Sequence, residues 1–340
     1  MTILAIKETE ALFKVLDESS ELLKDALSTS YLDAFIESGD NLIDGHVQVE
    51  DGRPDEKTVQ QLQALYDSVD RNQLNAETVR QAIQLAMLKA MREDDIQGNH
   101  QMTPDSIAMV MGYIVIRLVE SQNQLTILDP AVGTANLLTT IINQLTAATH
   151  EKVAAIGIDN DESLLSVADI NTTLQRSSVT LMHQDALGEL QIPEADLVVS
   201  DLPIGYYPLD EKVTTFKTHA QSGHSYVHHL LLEQAMRYVK PGGYGVFLVP
   251  SQLFSTPESK GLLSWLQDAA YLQGLLALPK DLFTAKQSAK SILLLQRHGE
   301  NTKQADKVMI GEFPSFKDQA GFSKFIAEIV DWELNDLLKQ

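Results

Sequence analysis

The sequence predicts an α/β protein: a largely parallel, Rossmann-like sheet of seven strands covered by helices on both faces, preceded by an all-α domain. Three observations carry that expectation. Residues 1–97 set apolar side chains three and four apart with acids between them, as in Leu12, Val15, Leu16, Leu22, Leu23, Ala26 and Leu27, and that period is one face of a helix. Beyond EDDIQGNHQMTPDS the pattern changes to seven short apolar runs separated by helical stretches, the signature of a sheet built from alternating units. The first four runs each close on an acid, Asp129, Asp159, Asp185 and Asp201, and in open sheets of this kind ligands sit beyond the carboxyl ends of the strands.

Each element follows in order. After the first helix, others are expected around Leu32 to Ile36, Val59 to Val69 and Val79 to Met91, with Asn75 suited to cap the last. GDNLIDGHVQVEDGRPDE, between the second and third, carries the Gly, Asp and Pro of a loop. Residues 98–300 hold the runs LTILD, VAAIGID, VTLMHQD, ADLVVSD, YGVFLVP, YLQGLLALP and SILLLQ. Residues 301–340 form an extension with one strand, KVMIGEF, and a helix from Phe322 to Leu338.

Composition narrows the class. An apolar fraction of 44% and a charged fraction of 21% are those of a soluble globular chain, and no run of eighteen apolar residues is present to span a bilayer. The start, MTILAIKETEALF, reaches charge too early for a secretory signal, and the absence of cysteine excludes disulfides and thiolate metal sites, so a cytoplasmic location is expected. Of the net charge of -21, residues 1–100 contribute -11, from nine Lys/Arg against twenty Asp/Glu. No segment reads as a basic arm, and any polyanion partner must meet a local patch.

The candidate chemistry lies at the strand ends. LDPAVGTANLLTTII is a strand, a small-residue turn and a helix starting near Asn136; Gly133 lets the backbone approach a ligand, and a helix start offers free N–H groups. A plain connecting turn has the same composition. The turn lacks the Lys and Ser/Thr of a P-loop and the three-glycine dinucleotide fingerprint. Asp159, 26 residues beyond Gly133, is placed to accept from a ribose diol or to cap the helix starting near Asp161 and Glu162. Asp185 suits an exocyclic amine such as that of adenine, or a strand-end turn. His183, and the pair His228 and His229, lack metal spacing beside carboxylates. The stretch SDLPIGYYP, after the fourth run, joins an acid, a proline, a glycine and two tyrosines in a loop suited to holding a flat ring.

In this order QMTPDSIAMVM, ILDPAVGTANLL, GIDND, HQDAL, SDLPIGYYP and KPGGYGVFLVP resemble the N6-adenine DNA methyltransferase family, especially the modification subunits of bacterial restriction systems. The resemblance covers roughly residues 98–298, and the acidic helical segment is similar to that family's variable N-terminal domain. It implies a class I methyltransferase sheet of seven strands, the last antiparallel, with S-adenosylmethionine as cofactor and no metal. It implies that Thr103 contacts the methionine carboxylate, that Asp129, Ala131, Gly133 and Asn136 line the methionine end, and that Asp159 binds the ribose. Asn160, Asp185 and the neighbouring Ala186 fall to the adenine, and Asp201 and Pro203 to catalysis. In that family the loop's acid and a backbone carbonyl accept from the target amine while a ring stacks on the flipped base.

Two departures stand out: Leu202 and Ile204 occupy the second and fourth loop positions, leaving Tyr206 or Tyr207 to supply the ring, and Ala135 stands where a further glycine is common. Lys212, Lys217 and Lys240 with Phe216 and Tyr226, and the segment PKDLFTAKQSAK, are the candidate patches for nucleic acid. The expected acceptor is adenine in DNA, with a separate specificity subunit reading sequence. RNA, protein glutamine or a small molecule is the alternative within the enzyme class. The alternative outside it is a cofactor-binding module that docks a partner through the acidic helical domain. The chain is expected as monomer or homodimer.

Overall fold

The computed structural model describes residues 3–95, 102–119, 124–149, 153–283, 289–300 and 302–337. Four helices come first: α1 (Ile3–Leu27), α2 (Tyr31–Asp44), α3 (Glu56–Asp67) and α4 (Ala76–Glu93). Side-chain caps satisfy the free N–H groups of three of their first turns. Ser30 accepts from Asp33, Asp55 from Thr58, and Asn75, as expected, from Glu77 and Thr78. The loop expected from Gly39 begins only at Gly45, because α2 runs on to Asp44. Packing overrides the local composition there: Asn41 and Leu42 are buried, and Gly39 lies against Ile170, where an added Cβ would come within 2.5 Å of the isoleucine Cδ1.

The second part opens with α5 (Asp105–Val119), then alternates β1 (Leu125–Asp129), α6 (Asn136–Thr149), β2 (Val153–Asp159), α7 (Glu162–Gln175), β3 (Ser178–His183) and β4 (Ala195–Asp201). It continues through α8 (Val227–Arg237), β5 (Val239–Pro250), α9 (Ser259–Ala269), β6 (Ala270–Ala277) and β7 (Lys290–Arg297), and ends in β8 (Met309–Glu312) and α10 (Gln319–Trp332). All eight strands form one sheet in the order β3-β2-β1-β4-β5-β7-β6-β8. As expected, β7 runs antiparallel to both its neighbours. Among the described residues the count is eight rather than seven because the KVMIGEF segment pairs in parallel with β6 as an edge strand.

Two apolar layers sandwich the sheet. On one face α5, α6 and α10 bury residues such as Met111, Leu138 and Ile329; on the other, α8 and α9 bury Leu230 and Leu266. The helical part has its own core, completed by Leu164, Val167, Ile170 and Leu174 of α7. The first domain is therefore seated on the sheet's covering helix through apolar contact, the strongest non-directional term available. Parallel pairing of β1 with both β2 and β4 makes this the place where strand order reverses, and crevices open at the carboxyl ends there.

Candidate active site

Asp129, Asp159 and Asp201 close β1, β2 and β4, three neighbouring strands, and Asp185 lies two residues past the end of β3. Asp129 is the deepest, 1% exposed, and its Oδ1 accepts from the Ala131 N–H at 3.1 Å and the Ser200 hydroxyl at 2.7 Å. Burial raises its carboxyl most, those two hydrogen bonds oppose the rise, and the charges of Asp159 and Asp201 add to it, leaving the group at about 7. The influence of the two neighbouring carboxylates on Asp129 is the electrostatic mark of their convergence.

Asp159 holds the turn after β1. One oxygen accepts from the Gly133 N–H at 2.8 Å and the other from the Asp161 N–H at 3.0 Å. It is not the cap of α7; Asp161 is, accepting from the Leu164 N–H at 3.0 Å. Gly133 has φ +51°, and a Cβ added there would meet nothing within 4 Å, so this side of the turn is open to a ligand. Ala135 is fully buried at φ +59°, which explains why a glycine suits that position.

At the outer strand Asp185 is exposed, with one oxygen accepting from the Leu187 N–H at 2.9 Å and the other from the Tyr207 hydroxyl at 2.6 Å. Ala186 is buried and its carbonyl accepts from Gln234 at 3.0 Å. Asn160 is exposed, its carbonyl 3.3 Å from His183 Nε2 at the end of β3.

The loop after β4 contains the first departure, Leu202 and Ile204. Leu202 is buried and its N–H donates to the Leu248 carbonyl at 3.1 Å, a sheet bond that no proline could make. Ile204 is exposed and brings no ring. Tyr207 is buried against Asp185, whereas Tyr206 is 58% exposed and stacks on Tyr226 with centroids 4.8 Å apart and planes at 21°. Backbone bonds from Tyr207 to Ser225 and from Val227 to Gly205 pin this loop to the start of α8. Both oxygens of Asp201 have a partner: Thr103 donates its hydroxyl to Oδ2 at 2.9 Å, and the Lys290 ammonium pairs with Oδ1. Thr103 also accepts, through its carbonyl, from the Asn136 amide at 3.0 Å.

The model of the N-6 DNA methylase family matches residues 86–325, and that of the YtxK N-terminal helical domain matches residues 10–91. The chain belongs to the N-6 DNA methylase family. That places it among class I methyltransferases, whose cofactor is S-adenosylmethionine. It is similar to the uncharacterized protein YtxK of Bacillus subtilis (strain 168), 39% identical over 322 residues, 95% of this chain and 96% of that protein. Its fold is similar to a Listeria monocytogenes crystal structure described as a candidate class I S-adenosylmethionine-dependent methyltransferase, with TM-score 0.89 and 40% identity over 96% of this chain and 99% of that one. A type I restriction-modification methyltransferase subunit from Streptococcus thermophilus shares the fold at TM-score 0.64 and 16% identity, covering 96% of this chain and 74% of that one.

The residues present fit the cofactor of an N-6 DNA methylase. The Gly133 turn has its open face at the switch point of the sheet, and acids on adjacent strand tips flank it. Among the described residues of the two expected nucleic-acid patches, four lysines, Lys217, Lys240, Lys280 and Lys290, have acidic partners. Phe216 is buried with the Arg237 guanidinium 4.3 Å above its ring, Lys217 pairs with Asp268 at 2.8 Å, and Lys240 pairs with Asp196 at 2.6 Å. In PKDLFTAKQSAK, residues 284–288 lie outside the described residues, while Lys280 pairs with Glu312 at 3.2 Å and Lys290 with Asp201. The sequence reading missed Arg80, Ser200 and the pairing of Lys290. Ser200 sits inside the quoted loop, and an arginine among the apolar positions of α4 was the available signal for Arg80.

Proposed function

We propose that the protein methylates a planar amine nitrogen, with N6 of adenine in DNA as the acceptor. The convergence of Asp129, Asp159 and Asp201 at neighbouring strand tips, together with the exposed Tyr206 ring in the loop that follows β4, carries this reading. Thr103, Asp129, Ala131, Gly133 and Asn136 would hold the methionine end of S-adenosylmethionine, Asp159 the ribose, and Asn160, Asp185 and Ala186 the adenine. Bound there, the cofactor supplies a methyl group on a cationic sulfur that leaves as a neutral thioether.

The remaining work belongs to the acceptor loop. Asp201 accepts a hydrogen bond from the incoming amine and stabilises positive charge growing on its nitrogen, with Pro203 stiffening the backbone that presents it. Tyr206, backed by Tyr226, offers a flat platform for the acceptor ring. Orientation of acceptors, more than base strength, is what such a transfer requires. Lys290 and Thr103 hold Asp201 in place, and the amine would share an oxygen with one of these donors. Sequence reading of the target falls to a separate specificity subunit, with the acidic helical domain as the surface it meets.

A second reading, cofactor binding without transfer, is favoured by the same engagement of both Asp201 oxygens and by Ile204 in the ring position. Calorimetry with S-adenosylmethionine, followed by labelled methyl transfer onto DNA, RNA and cell extract, separates the two. Label on adenine in DNA is the expected result. Label on RNA, protein or a small molecule would move the acceptor, and binding with no labelled product would establish the second reading.

A further inference from the structure

Arg80 of α4 is the largest side chain among the fully buried ones and crosses from the helical domain to the strand-tip site. All five of its N–H donors are used. Nε and one NH2 hydrogen go to Glu77 at 2.9 and 2.6 Å, and two go to the oxygens of Asp105 at 2.9 and 3.1 Å. The fifth goes to the Asn136 amide oxygen at 2.8 Å. Asp105 and Asn136 are the first residues of α5 and α6, so one guanidinium staples both helix starts. The rest of the Asn136 amide donates to Thr103, and Thr103 donates to Asp201. The two carboxylates outweigh the burial penalty and keep the guanidinium charged.

We infer that Arg80 is a positioning residue of the methyltransferase site: by fixing the Asn136 amide it sets Thr103 and the methionine end of the cofactor site, so the helical domain completes that site. This rests on the functional reading above, in which Asn136 and Thr103 line the methionine end. The bond from Arg80 to Asn136 spans 56 residues of sequence and joins two bodies with separate cores, and apolar seating on α7 already holds those bodies together. A purely structural arginine would have no need to reach the first residue of α6, since Glu77 and Asp105 already neutralise it.

The test is calorimetry on the full chain with two ligands, S-adenosylmethionine and methylthioadenosine, which lacks the amino-acid end. Arg80→Lys keeps a positive charge beside Glu77 and Asp105 but gives up the fork that reaches Asn136. It should weaken S-adenosylmethionine about tenfold, the equivalent of one oriented hydrogen bond, while methylthioadenosine affinity stays as in the wild type. Glu77→Gln disturbs the same cluster without touching the Asn136 bond and should lower Tm while leaving both affinities unchanged. If Arg80→Lys does not fold, Asn136→Ala cuts the bond from the other side and leaves Arg80 paired with its two acids. It should show the same selective loss. Where both fold, the double variant should bind no worse than Asn136→Ala alone, as residues acting through one contact are not additive. Equal loss of both ligands, loss in Glu77→Gln matching that in Arg80→Lys, or no loss in either variant that cuts the bond would overturn the inference. A wild type that binds neither ligand would overturn the functional reading and this inference with it.

Discussion

The two halves of the site are built on different terms. Around Gly133 and Asp159 the carboxylate accepts from backbone N–H groups, that of Asp161 in its own turn and that of Gly133 in the turn after β1, and one position, Ala135, departs from the family pattern. Around Asp201 they are satisfied by side chains from far along the chain, Thr103 and Lys290, and two loop positions depart from the pattern. A bond from a backbone N–H survives substitution of the residue that donates it. A loop held by distant side chains depends on every element that delivers them.

Four measurements break or sharpen that contrast. The largest effect falls on the acceptor half: Asp201→Ala should lower methyl transfer by about a thousandfold, near 4 kcal/mol, as for loss of a group aimed at developing charge. Calorimetry should find its cofactor affinity little changed, and retained turnover would remove Asp201 from the reaction. On the cofactor half, Asp159→Ala should weaken S-adenosylmethionine by about 1 to 3 kcal/mol and also loosen the turn, since Gly133 loses its acceptor. Unchanged affinity would leave the residue only its role in the turn.

Behind the acceptor loop, burial pushes His228 down to about 3 and His229 to about 4. Unfolded imidazoles take up protons near 6.5, so the stability these two support is present above that pH and is lost as pH falls, by about 1.4 kcal/mol per unit for each ring. Burial raises Asp129 to about 7 and Asp40 to about 6, and their contribution runs the opposite way, lost as pH rises through those values. The opposing slopes leave the wild type with little net dependence from these four groups between pH 4 and 6. Comparison of melting curves isolates the ring: His229→Leu should gain on the wild type progressively from pH 6.5 to 4. A pH-independent difference would show the ring is not buried neutral. The smallest effect belongs to Ala135→Gly, which relieves a left-handed alanine and should raise stability by about 0.5 to 1 kcal/mol, read as a higher Tm; a fall would mean that the buried methyl matters more than the strain.

What the sequence made legible was local. The acids closing β1, β2 and β4, the helix start at Asn136 and the cap at Asn75 depend on residue type and period over a few positions and are where the pattern put them, while Asp185 falls two residues past β3. What stayed hidden depends on distance along the chain. Lys290 meets Asp201 across 89 residues, and Arg80 meets Asp105 across 25 and Asn136 across 56, separations for which composition carries no signal. Leu202 misled for a third reason: set against a family motif it looked like a loss, yet its N–H extends the β4 ladder by one bond to β5. The six helical residues from Gly39 to Asp44 were masked by their own polarity, since glycine and aspartate favour loops unless a neighbour such as Ile170 demands a close crossing.

The links between Arg80 and Asp201 have a direction. Every donor faces the acid, and the path passes through two separate oxygens of Thr103, its carbonyl and its hydroxyl, joined only by covalent bonds. Such a linkage has no hopping route for a hydrogen ion. It conveys shape, so a disturbance in the leading domain reaches the chemistry as a change of angle rather than a change of ionisation.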